Sequence, residues 1–79
     1  MIEANVGDRL VDARGRTIGR VDAVYADYLL VRTRGLLPTD LYVPRPEVNR
    51  IDERRLQVAK TSAQAHEAWH RPLRRAPHD

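Results

Sequence analysis

Val, Leu and Ile recur steadily from Val6 to Val58 and then cease, Leu73 excepted. The pattern predicts a folded core within residues 1–60 and an appendage over residues 61–79. Within the core, the apolar residues fall in short runs broken by Gly, Pro and charged positions, which reads as a succession of strands. Residues 9–12 form the first, and Ala13-Arg14-Gly15-Arg16 turns the chain, with Gly15 where a positive φ is needed. Residues 17–25 follow, with Ile18, Val21 and Val24 spaced by three where strict alternation would give two. A helix also gives that spacing. The flanking Gly15 and Gly19 and the β-branched content predict instead a strongly bent strand with a bulge at Gly19.

Residues 28–33 form a third strand, apolar enough on both faces to be central. The chain is organised around the stretch 39–58. Strands at 41–43, 48–51 and 55–58 are separated there by a corner containing Pro44 and Pro46 and by the turn Asp52-Glu53-Arg54. Short strands at this spacing, with hardly any helix among them, predict an all-β fold: a small six-stranded barrel, closed on itself so that no edge is exposed. One short C-terminal helix is expected over residues 61–71. Thr61 caps it, Gln64 reaches back in a capping box, and Ala65, Ala68 and Trp69 share the face that pins it to the barrel. Pro72 stops the helix and residues 72–79 are expected to be a mobile tail.

Composition narrows the function classes. No apolar run approaches the ~20 residues that cross a bilayer, and the N-terminus does not read as a signal peptide. With no cysteine there is no disulfide framework and no thiolate chemistry, and a cytoplasmic location is expected by default. The net charge of +3 comes with Arg supplying all but one of fourteen basic side chains. Such a balance permits contact with RNA, DNA or acidic lipid, but eleven acidic residues are scattered among the bases, so no basic stripe is legible.

The segments Val6-Gly7-Asp8, Gly15-Arg16-Thr17-Ile18-Gly19-Arg20-Val21, Leu41-Tyr42-Val43-Pro44 and residues 48–51 together resemble the PRC-barrel superfamily. There a G-x-x-(I/L)-G-x-V strand precedes an apolar-x-(I/V)-P corner and then a V-x-x-(I/V) strand. More narrowly, residues 36–44 and the helix with Trp69 resemble an uncharacterised bacterial family of stand-alone domains, the DUF2171 type. The resemblance implies a docking surface without catalytic activity. PRC-barrels serve that way in the reaction-centre H subunit and in the ribosome maturation factor, whose transmembrane helix and separate N-terminal domain, respectively, are not expected here.

Few residues suggest chemistry. His66-Glu67-Ala68-Trp69-His70 matches H-E-x-x-H, in which two His one turn apart hold zinc and the Glu acts as base. A third ligand is required, only nine residues follow His70, and the extended form would want a histidine at Ala76, so a plain helix is the expected reading. Leu36-Leu37, beside Gly35 and Pro38, reads as a plug folded into one open end of the barrel or as an exposed partner site, the plug being favoured. Arg32, Arg34, Arg45, Arg50, Arg54 and Arg55 could converge on phosphate, yet Asp40, Glu47, Asp52 and Glu53 stand close enough to neutralise them. Ser62, the only serine, lies in the helix cap and gives nucleophilic catalysis no foothold.

The resulting expectation is a non-catalytic protein-interaction module with a homo-oligomer as one candidate assembly. No cofactor, small-molecule substrate or membrane is expected. Leu36, Leu37, Trp69, Arg34 and Arg45 are the candidate partner contacts. RNA binding through surface arginines is the alternative, and a zinc enzyme at His66 and His70 a remote one.

Overall fold

A computed structural model describes residues 3–71. The expected mobile tail, residues 72–79, lies outside the described residues. The strands are β1 (Arg9–Val11), β2 (Thr17–Val24), β3 (Tyr28–Thr33), β4 (Asp40–Pro44), β5 (Val48–Arg50) and β6 (Arg55–Val58). A 3-10 turn, Arg45–Glu47, joins β4 to β5, and α1 spans Ser62–Trp69. The strands form one sheet in the order β4-β3-β2-β1-β6-β5, antiparallel throughout except for the parallel pair β1–β6.

The sheet curls into a half-barrel and does not close, which corrects the expected ring. Its two edge strands, β4 and β5, are connected by the 3-10 turn and not by a ladder. The reason lies at the corner. Pro44 and Pro46 remove two N–H donors just where the edges would meet. The Arg45 amide is spent on the carbonyl of Asp27 at 3.0 Å, holding the corner against the β2–β3 turn. Helix α1 packs on β4, and its Ala65 and Trp69 join the buried cluster of Leu10, Leu29, Leu41 and Leu56.

β2 explains its own irregular spacing. Its pairing slips once against β1, between Leu10↔Gly19 and Val11↔Thr17, and once against β3, between Val21↔Val31 and Ala23↔Leu30. Ile18 and Asp22 are thus the extra residues of two bulges, and each bulge lengthens the repeat from two to three. Gly19 lies next to the first bulge rather than being it. It is needed for another reason: a Cβ there would strike the Arg32 carbonyl oxygen and lie 2.9 Å from the Arg32 carbonyl carbon, because β3 crosses so closely. Gly15 has φ 84°, as its turn requires.

Alternation along β1 places Asp8, Leu10 and Asp12 on the inward side, so one acid stands at each end of the curl. Asp8, buried, accepts from the Asn5 amide at 2.9 Å and from the Arg50 guanidinium at 2.6 Å. Arg50 also donates to the carbonyls of Glu3 and Asp52, tying the N-terminal segment to the end of β5. Asp12, at the other end, accepts from the amides of Arg14 and Arg16, each at 2.8 Å, and from the Ser62 hydroxyl at 2.7 Å. One carboxylate therefore joins the β1–β2 turn to the first turn of α1.

The Ser62 hydroxyl first, then the amides of Arg16, Arg14 and Ser62, hold the Asp12 carboxyl down at about 2, against the opposing effect of its burial, from an ordinary 3.8. A depressed folded-state pKa contributes stability above the unfolded value, and that contribution is lost on acidification through the folded one. The Asp12 share is thus complete above about pH 3.8 and gone below about pH 2. In Asp12→Asn, proton uptake on acid unfolding across this window should fall by up to about one proton, measured from the pH dependence of urea midpoints. An unchanged acid limb would remove Asp12 from this role.

Candidate functional site

The β3–β4 loop, residues 34–39, leaves one end of the sheet on a narrow stem. The Thr33 amide donates to the Thr39 carbonyl at 2.8 Å, and the Thr39 amide donates back to the Thr33 hydroxyl at 2.9 Å. Gly35, with φ 120°, swings the chain outward. Leu36 and Leu37 stand at the tip, 99% and 86% exposed. The expected plug is therefore overturned: the stem's hydrogen bonds fix the loop outside the curl, and the space inside is already filled by α1.

Just below this loop, the register sets four arginines side by side on the outer face. Arg55 of β6 pairs with Arg9 of β1, Arg9 with Arg20 of β2, and Arg20 with Arg32 of β3, after which Asp40 of β4 ends the row. At a strand separation of about 4.8 Å, the row is roughly 14 Å long. The end arginines carry carboxylates: Arg32 Nε lies 3.2 Å from Asp40, and Arg55 Nε lies 2.7 Å from Asp52. The Arg54 amide, then the Arg55 guanidinium, lower the pKa of Asp52. Among the described residues the central pair, Arg9 and Arg20, has no carboxylate partner, and Arg20 donates only to the Gly7 carbonyl at 3.2 Å. Two shallow clefts, of about 550 and 520 Å³, meet at Gly7 and Arg20, and between them they reach every arginine of the row as well as Arg34.

The same outer face carries the tyrosines. Tyr28, Leu30 and Arg32 alternate outward along β3, as do Asp40 and Tyr42 along β4. Tyr25 stacks on Tyr28 at 4.7 Å between ring centroids, and Tyr28 lies 5.9 Å from Tyr42. All three rings thus form one group, an arrangement their separation in sequence concealed.

The chain matches no family model, no curated protein and no solved structure.

The remaining candidates sort clearly. Trp69 is buried in the core at 5% exposure, with the Lys60 ammonium 5.7 Å from its ring centroid, so it pins α1 and offers nothing to a partner. Arg45 faces the chain itself and donates to the Tyr25 carbonyl at 2.9 Å. Arg50 is spent on Asp8. Of the six arginines expected to converge, only Arg32, Arg34, Arg54 and Arg55 line the clefts, while Arg9 and Arg20, absent from that expectation, sit at their centre. The capping box of Thr61 and Gln64 is present, and Ala65 and Trp69 are buried, but Ala68 is exposed. His66 and His70 lie on the open side of α1, each turning Nδ1 to the carbonyl four residues earlier. Among the described residues no three His, Cys, Asp or Glu gather as metal ligands, and no helix is long and apolar enough to cross a membrane.

Proposed function

We propose that this domain is a non-catalytic docking module whose protein contact is the Leu36–Leu37 tip. One observation carries the reading: two adjacent leucines are held almost wholly in solvent on a stem that hydrogen bonds fix in place. Burying each against a partner is worth about 1.5–3 kcal/mol, a gain the free domain forgoes. A second copy of the chain is the simplest partner, because a thin core gains stability from a shared apolar face. That face is the tip, since the Trp69 side of the helix is occupied. A cytoplasmic setting fits a chain without cysteine. The PRC-barrel reading of the fold belongs to the same proposal and rests on the order of the strand and proline-corner segments.

The double substitution Leu36→Ser with Leu37→Ser should change stability by no more than about 0.5 kcal/mol, since neither side chain is packed. It should also abolish concentration-dependent association in sedimentation velocity, or remove specific proteins recovered from source cells with the wild-type domain. A monomer at every concentration, together with identical recoveries for both baits, would end this reading.

A further inference from the structure

We propose that the arginine row is a binding site for single-stranded nucleic acid, with phosphates along Arg55, Arg9, Arg20 and Arg32 and bases laid toward the tyrosine group. This is a second contact, of different chemistry from the protein-docking tip.

The row is unfavourable to the free protein. Like charges directly opposite one another in a sheet are destabilising, and here the opposition repeats across three successive strand pairs. Asp22 and Glu53 also line the clefts, but among the described residues no acid pairs with Arg9 or Arg20. Asp40 and Asp52 hold the two ends, and the centre is left to Arg9 and Arg20, where the two clefts meet. A linear polyanion crossing the strands relieves that repulsion along its whole length.

The aromatic group selects the kind of polyanion. Tyr28 is four residues from Arg32 on the same face of the same strand, roughly 13 Å away. A backbone held across the row therefore has rings within reach along β3. Tyr25, at the outer end of the stack, is 45% exposed. A basic track beside aromatic rings is how single strands are held without regard to sequence, because every base has a face to stack. An acidic polypeptide would use the arginines and ignore the rings. An anionic membrane would use the arginines and the leucine tip.

The test is fluorescence anisotropy of a short labelled oligouridine with the full chain. Two to four neutralised phosphates give a slope of log K against log salt between about −1.4 and −2.8, or a loss of roughly seven- to fifty-fold between about 50 and 200 mM salt. Arg9→Gln and Arg20→Gln should each make the slope shallower by about 0.7. Arg14→Gln, on the β1–β2 turn away from the row, should leave it unchanged. Thermal melts guard against misfolding, and Arg9→Gln should melt no lower than wild type because it removes a like-charge contact. Tyr25→Ala should weaken binding by about tenfold or more through lost stacking. The proposal is overturned by absence of binding at low salt or by equal losses from Arg9→Gln and Arg14→Gln. It is also overturned if polyglutamate competes as well as the oligonucleotide while Tyr25→Ala has no effect, or if flotation shows phosphatidylglycerol vesicles binding more tightly than the oligonucleotide. Leu36→Ser with Leu37→Ser should leave oligonucleotide affinity intact, so failure here is separable from failure of the docking reading.

Discussion

Trp69→Ala should lower the stability of the domain by about 3–5 kcal/mol, the range for deleting a fully packed aromatic side chain. In a domain of this size that is a large share of a total of roughly 5–15 kcal/mol. The indole is the last residue of α1 and sits in the cluster that also holds Leu10, Leu29 and Leu41. No other aromatic is in that cluster. Its removal also frees the end of α1 farthest from the Asp12–Ser62 anchor. Urea denaturation followed by far-UV circular dichroism measures the loss. A change under about 1 kcal/mol would mean that the helix is not docked as described.

Gly19→Val should be nearly as damaging, by about 3 kcal/mol, through the opposite fault of overpacking. The atoms a side chain would meet belong to the β3 backbone at Arg32 and Thr33, and a backbone paired on both sides cannot yield as a side-chain tip can. Gly15 provides the comparison. It has open space around it and a positive φ, so Gly15→Ala should cost only the conformational penalty of about 1–2 kcal/mol. Denaturation of both variants gives the order, and a Gly19→Val as stable as Gly15→Ala would show that β2 and β3 are farther apart than described.

Local chemistry was legible in the sequence. All six strands are present at nearly the expected places, because Gly15, Pro38, Pro44 and the Asp52-Glu53-Arg54 turn mark their ends. The capping box at Thr61 and Gln64 was readable because its partners are three residues apart. Features set by register were not readable. The bulges at Ile18 and Asp22 depend on how β2 meets β1 and β3 in turn, whereas the sequence pointed to a single bulge at Gly19. Closure of the ring depended on whether two edges distant in order could meet, and the proline corner that looked like a mere stop also kept them apart.

The same limit hid the centre of the arginine row and the alignment of its members. Arg9, Arg20, Arg32 and Arg55 are at least eleven residues from one another in sequence, and only the pairing of four strands aligns them. Charge patterning along the chain named Arg32, Arg34, Arg54 and Arg55, passed over Arg9 and Arg20, and included Arg45 and Arg50, which serve the fold. Asp12 gave no signal either, since it read as the polar last residue of the first strand, and its partner Ser62 is fifty residues away. The direction of Leu36 and Leu37 was decided by hydrogen bonds between Thr33 and Thr39, which sequence offered no reason to pair.

The most direct test of the docking surface is photo-crosslinking in the source cells, with a benzophenone amino acid replacing Leu37 in one variant and Glu67, on the open side of α1, in another. The loop position should yield a discrete protein adduct and the helix position none. Adducts from position 67 alone, or from neither position, would contradict the assignment of partner contact to the leucine tip.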